Sequence, residues 1–194
     1  MMPLSFSGQI DGYAIVSEDG MLANAAGIMP ESLKFEADRD FFERALDQVS
    51  VVVHGAHSHE QQPHSHLRRR LIVTRRIAAI AADPSNDKAL FWNPAGASFE
   101  QALAAVGAPN AGVGIIGGPE VFGMFLDRYD FFHLSRAPNV WLPGGRPVFP
   151  GVPRQTPEQL LAEHGLEPGK TEMLDRAKRV TLVSWRRMVS TRVA

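Results

Sequence analysis

Short apolar runs, several of them β-branched, recur along this chain, and stretches with helical periodicity separate them. The first run, Ile10 to Val16 (IDGYAIV), predicts a strand. It leads into SEDGMLANAAGIMP, where Asp19-Gly20, Asn24 and Gly27 predict a long irregular loop. Pro30 and Glu31 then open SLKFEADRDFFERALDQ. Its apolar positions Leu33, Phe35, Phe41, Phe42, Ala45 and Leu46 suit one amphipathic helix, with Pro30 where a missing N–H costs nothing. Met29, Phe35, Phe41 and Phe42 are expected in the core, and Asp11, Asp19, Glu31 and Asp38 mostly as solvated charge.

Val49 to Val53 continues the series, followed by Leu71 to Thr74, Ala89 to Trp92, Gly112 to Ile116 and Phe131 to Ser135. Mostly apolar strands of this kind are covered on both faces, as in parallel sheets. Ser98 to Gly107 predicts a helix with Ser98 at the N-cap and Gly107 past its end, and Pro119 to Leu126 predicts another. Thr156 to Gly165 is a third, with Thr156 capping and Pro157 at the first position. Arg179 to Trp185 alternates inward and outward and predicts an antiparallel edge strand, while WLPGGRPVFPGVPRQ predicts loop. Strands alternating with helices give an α/β fold with a mixed, mostly parallel central sheet flanked by helices and an antiparallel C-terminal edge. The whole chain, residues 1–194, reads as a single domain.

Composition removes several function classes. Twenty Lys+Arg against twenty-one Asp+Glu leave a net charge of −1, so no electrostatic footprint for nucleic acid or an anionic membrane is expected. Cysteine is absent, which excludes thiolate catalysis and cysteine-ligated metal. No apolar run approaches the roughly 20 residues that span a bilayer, and the opening residues lack a secretory pattern, so the cytoplasm is the expected compartment. His54, His57, His59, His64 and His66 crowd one short segment, but their spacing matches no zinc signature and no metal is expected. No G-x-S-x-G elbow, Walker lysine motif or H-E-x-x-H is present.

The junction Ile115-Ile116-Gly117-Gly118-Pro119-Glu120-Val121-Phe122 carries the most information. An apolar strand runs into two glycines and then a helix, so backbone can approach a ligand closely and free N–H groups point at an anion. Val53-His54-Gly55-Ala56-His57-Ser58 repeats the design, and Val73-Thr74-Arg75-Arg76 places two arginines after a strand, suited to a phosphate. Ligands of α/β sheets bind at the carboxyl ends of strands, so three such junctions point to a nucleotide.

The order of these pieces resembles the dihydrofolate reductase superfamily, including the reductase domain of bacterial riboflavin biosynthesis. The resemblance runs from Tyr13 to Trp185 and includes Ser17 to Ala23, Met29 to Phe35 and Leu142 to Pro150 (LPGGRPVFP). It implies a three-layer dihydrofolate reductase-like domain using NADPH. Leu22 and Ala23 would then lie near nicotinamide, Gly55, His57 and Ser58 at the pyrophosphate, and Thr74 and Arg75 at the 2′-phosphate. Gly117, Gly118, Glu120, Val121 and Phe122 would form the far wall of the cofactor cleft. Phe35 and Ser135 are the substrate-side expectation, Ser32 and Glu31 the catalytic one, and Lys34 and Arg39 would meet a substrate phosphate.

Two positions depart from the family pattern. The carboxylate that grips a pterin in folate reductases is aligned with Ser32, whose neutral hydroxyl cannot replace it. Neighbouring Glu31 would lie about 100° away round a helix. The turn arginine expected on the cofactor phosphate is here Ala56. The expected activity is therefore that of a 5-amino-6-(5-phosphoribosylamino)uracil reductase. Its rivals are a dihydrofolate reductase with a relocated carboxylate and a nucleotide-binding protein without catalysis. The expected partner is a small-molecule substrate, with a homodimer possible through Phe131 to Ser135 and the proline-rich loop.

Overall fold

The structure, a computed structural model, describes residues 6–56 and 64–188. In chain order the strands and helices begin with β1 (Ile10–Val16) and β2 (Met21–Ala23), then α1 (Glu36–Leu46) and β3 (Val51–Gly55). They continue with β4 (Arg69–Val73), β5 (Ile80–Ala82), β6 (Ala89–Trp92), α2 (Phe99–Ala105), β7 (Val113–Ile115) and α3 (Pro119–Met124). The chain then forms β8 (Phe131–Arg136), β9 (Arg146–Pro147), α4 (Pro157–Glu163), β10 (Leu166–Asp175) and β11 (Val180–Arg187). Nine strands make one sheet in the order β10-β11-β8-β1-β7-β3-β4-β6-β5, and β2 pairs separately with β9. The block from β8 to β6 is parallel throughout, while β5, β11 and β10 run antiparallel to their neighbours.

The predicted caps form as expected: Ser98 and Thr156 each close a reciprocal capping box, with Gln101 and Gln159 as partners. The helix predicted as continuous from Pro30 does not form as one piece. Glu31–Leu33 is a 3₁₀ turn, and Phe35 is extended (φ −119°, ψ 131°) at the N-cap of α1. The break resets the helical phase, with consequences for the site. Arg179 to Trp185 does form a strand, but β11 lies inside the sheet and β10 is the edge. Pro168 and Gly169 hide β10 from a pattern-based reading, and Glu167 to Met173 is exposed on both faces. β8 is likewise enclosed, between β1 and β11, so it offers no edge to a second copy.

Alternation along β1 splits the core. Phe132 and Leu134 face α2 and α3, where Phe99, Phe122, Phe125, Tyr129 and Phe149 fill the main cluster. Gly12 is required there, because a Cβ would sit 2.4 Å from the Phe132 ring. The proline-rich stretch is loop, yet Val148 and Phe149 are fully buried in this cluster. On the other face Tyr13 packs against Phe41 and Phe42 of α1, which are half-buried, whereas Met29 is exposed rather than core. A second small core, Ile15, Leu33, Ala137 and Val180, closes that face near the strand ends. Among the described residues no helix is long and apolar enough to cross a membrane.

Candidate functional site

The carboxyl ends of six parallel strands lie along one side of the sheet, and short backbone bonds tie their exits together. The Gly55 N–H donates to the Gly117 carbonyl at 2.7 Å, Ile116 to Val53 at 3.0 Å, Ala56 to Val73 at 3.0 Å and Thr74 to Trp92 at 2.9 Å. Gly117, Gly55 and Thr74 with Arg75 thus stand at three adjacent strand exits. The Gly117–Gly118 peptide is cis, and Gly117 has φ +111°. A Cβ there would lie 3.0 Å from the Phe122 ring, so only glycine keeps this turn open. Phe122 and Val121 point into the core, and Phe122 supports the glycine pair from below. Glu120 is exposed in the first turn of α3. Arg75 and Arg76 are exposed, and the Arg76 N–H donates to the Thr74 hydroxyl at 3.2 Å. His57 and Ser58 lie outside the described residues.

Beside the glycine pair, β2 and β9 form a small ribbon that carries half-buried Leu22 and buried Ala23. It is held down firmly. The Asp19 carboxylate accepts the Leu142 N–H at 3.0 Å and the Ser17 hydroxyl at 2.6 Å. Arg136 donates to the Ser17 and Glu18 carbonyls at 3.1 and 3.0 Å and pairs with Glu158 of α4.

On the α1 face the acidic side chains differ in exposure. Ser32 and Glu31 sit on the exposed 3₁₀ turn, and Glu31 pairs with Lys34 at 2.5 Å in open solvent. Arg39 faces Glu36 and Glu43, each at 3.9 Å, so Lys34 and Arg39 both have acids of their own segment beside them. Phe35 is half-buried, with the Lys178 ammonium 5.7 Å above its ring. Asp38, in the first turn of α1, is the carboxylate turned toward the sheet. Burial pushes its pKa up to about 6, partly offset by a hydrogen bond from the buried Ser135 hydroxyl of β8. The 3₁₀ break places it there: in a helix running on from Pro30, residue 38 would have a different phase. One sequence signal was available, since Asp38 interrupts the apolar stripe three and four residues before Phe41 and Phe42.

Deeper on this face the rings of Phe131, His133 and Tyr13 stack nearly parallel. Burial lowers the His133 pKa to about 4, so the ring is neutral at pH 7, and its Nδ1 lies 2.9 Å from the Ser184 hydroxyl. Asp11, read as solvated from the sequence, is buried instead. Desolvation raises its pKa to about 6, while its Oδ2 accepts from Gln9 at 2.7 Å and from Tyr13 at 3.4 Å. Among the described residues no group of three or more His, Asp or Glu side chains could hold a metal ion.

This arrangement is the dihydrofolate reductase-like fold: a mixed, mostly parallel sheet flanked by helices, with a glycine pair at a central strand exit. No protein-family model matches the chain, and no curated protein matches it in sequence. Solved structures do. One is a protein assigned to riboflavin biosynthesis from Shewanella sp. PV-4, 17% identical over 93% of this chain and 99% of that one, with a TM-score of 0.65. Another is a diaminohydroxyphosphoribosylaminopyrimidine deaminase/5-amino-6-(5-phosphoribosylamino)uracil reductase from Thermotoga maritima, 15% identical, with a TM-score of 0.67. It matches over 94% of this chain, which spans 57% of the Thermotoga protein. Dihydrofolate reductase of Enterococcus faecalis, complexed with NADP(H) and RAB-propyl, is 17% identical over 95% of this chain and 99% of that one, with a TM-score of 0.63.

Proposed function

We propose that this protein is a reductase that delivers hydride from NADPH to a small pyrimidine- or pterin-type ring. The observation that carries the reading is Asp38: a carboxylate withdrawn from water and held by Ser135, near the same carboxyl-end edge of the sheet as the glycine-pair groove. An open backbone cradle, kept free by the absence of a Cβ at Gly117, fits a dinucleotide. Gly117, Gly118 and Gly55 would hold its pyrophosphate end, Thr74 and Arg75 the 2′-phosphate, and Leu22 and Ala23 the nicotinamide. When bound, the dihydronicotinamide supplies a hydride.

The chain's own part is to bind, orient and exclude water. Asp38 would accept two N–H bonds from the N–C–N edge of a 2-amino ring, a bidentate and charge-assisted contact. Ser135 fixes the carboxylate rotamer, and the anchored β2–β9 ribbon keeps solvent from the ring face. Asp38 suits both candidate rings. A pterin presents its 2-amino group beside a ring N–H, and the phosphoribosylamino-uracil presents its 6-amino N–H beside N1–H, so either ring offers the carboxylate adjacent donors. With Asp38 on the α1 face, both the phosphoribosylamino-uracil reductase reading and the dihydrofolate reductase reading with a displaced carboxylate have a carboxylate for the ring.

NADPH oxidation followed at 340 nm, with dihydrofolate and with the phosphoribosylamino-uracil substrate in parallel, tests the proposal. Turnover of one of them, reduced about 100-fold or more in Asp38→Asn, is expected. Failure of NADPH to bind at millimolar concentration would remove every catalytic version and leave a protein that kept the fold alone.

A further inference from the structure

His54 closes β3 directly before the cradle. It is 4% exposed, and its Nδ1 lies 3.0 Å from the Gly55 carbonyl oxygen. A carbonyl oxygen can only accept, so Nδ1 carries the proton and the tautomer is fixed by this contact. The same peptide donates its Ala56 N–H to the Val73 carbonyl at 3.0 Å, and the preceding peptide donates the Gly55 N–H to the Gly117 carbonyl at 2.7 Å. One imidazole therefore holds the Gly55–Ala56 peptide, which is bonded to the exit of β4 and lies next in the chain to the peptide bonded to the glycine pair of β7. Gly55 has no side chain to restrict its own ψ, so without that donor, among the described residues, only the Ala56 N–H bond to Val73 fixes the peptide plane. Val51 and Val53 belong to the main core, and the alternation of β3 puts His54 on the α1 face with Asp38, out of the groove itself.

We propose that His54 is a positioning residue for dinucleotide binding: its Nδ1–H orients the Gly55–Ala56 peptide so that the groove is formed before the phosphates arrive. The inference rests on the reductase reading above and adds a residue that never touches the cofactor. Preorganisation of this kind lowers the ordering cost of binding, so its loss appears in affinity.

The test measures NADPH, ADP and nicotinamide mononucleotide binding by calorimetry in the wild type, His54→Leu and His54→Gln, with circular dichroism reporting the fold. His54→Leu should weaken NADPH and ADP about tenfold, the equivalent of one hydrogen bond. Mononucleotide binding should change less than threefold, and His54→Gln, whose amide can still donate, should recover most of the loss. A merely structural histidine would show no such recovery and no difference between ligands. Folded variants that bind NADPH and ADP as the wild type does would overturn the proposal and leave the reductase reading intact. No binding to the wild type would overturn the reductase reading instead. Should His54→Leu fail to fold, nitrogen NMR of the wild-type imidazole decides: a proton on Nδ1 supports the proposal, and a proton on Nε2 alone refutes it.

Discussion

Replacing Asp38 by asparagine should stabilise this protein while disabling it. In the folded chain the Asp38 carboxyl titrates near 6 because burial disfavours the anion, against 3.8 for the unfolded side chain. The stability linked to this group is complete below about pH 4 and is lost as the pH rises through 6, so at pH 7.5 the ionised carboxylate is a net burden. Two pKa units correspond to about 3 kcal/mol, and because Asp38 is only partly buried we expect about 2 kcal/mol. Asparagine has the same shape, carries no charge and still offers an oxygen to the Ser135 hydroxyl. Urea unfolding at pH 7.5 should show Asp38→Asn to be more stable by that amount, with Tm raised by about 4–8 °C. The difference should vanish near pH 4. An asparagine variant no more stable at pH 7.5, or one whose advantage does not depend on pH, would refute the claim that a poised and desolvated carboxylate occupies this face. Stability sacrificed for a charged group is the usual mark of a functional site.

Three further outcomes follow from the same geometry. Asp11→Asn should also stabilise at pH 7.5 and not near pH 4, by about 1 kcal/mol in urea titration, with no change in NADPH affinity. Its gain is smaller because an amide N–H could replace Oδ1, which has no hydrogen-bond partner among the described residues. Gly117→Ala should cost about 2–3 kcal/mol in thermal unfolding and abolish dinucleotide binding, since φ +111° strains any side chain and the Phe122 ring lies 3.0 Å from the new Cβ. Arg75→Ala should weaken NADPH about tenfold in calorimetry and leave NADH unchanged; equal loss for both would remove Arg75 from the 2′-phosphate.

The central strands were legible because each is a short, mostly apolar run wanted on both faces, and α2 and α4 because Ser98 and Thr156 stand where a helix needs an acceptor for its free N–H groups. The glycine pair was legible for a local reason too: few backbones other than glycine can turn from strand to helix so tightly. β10 was not, since Pro168 and Gly169 argue against a strand and only hydrogen bonds from β11 hold it in one. β2 and β9 were missed because strands of three and two residues carry no period.

What the sequence determined by itself is the set of locally specified parts, namely strand runs, caps and glycine turns, each fixed by interactions within a few residues. Which side chains meet was decided only by the tertiary structure. Asp38 joins Ser135 across about a hundred residues because the chain breaks at Phe35, and that break is set by Leu33 entering a small core with Ile15, Ala137 and Val180. Burial then alters the carboxylate's chemistry, and burial is a property of the assembled neighbours that no stretch of sequence contains.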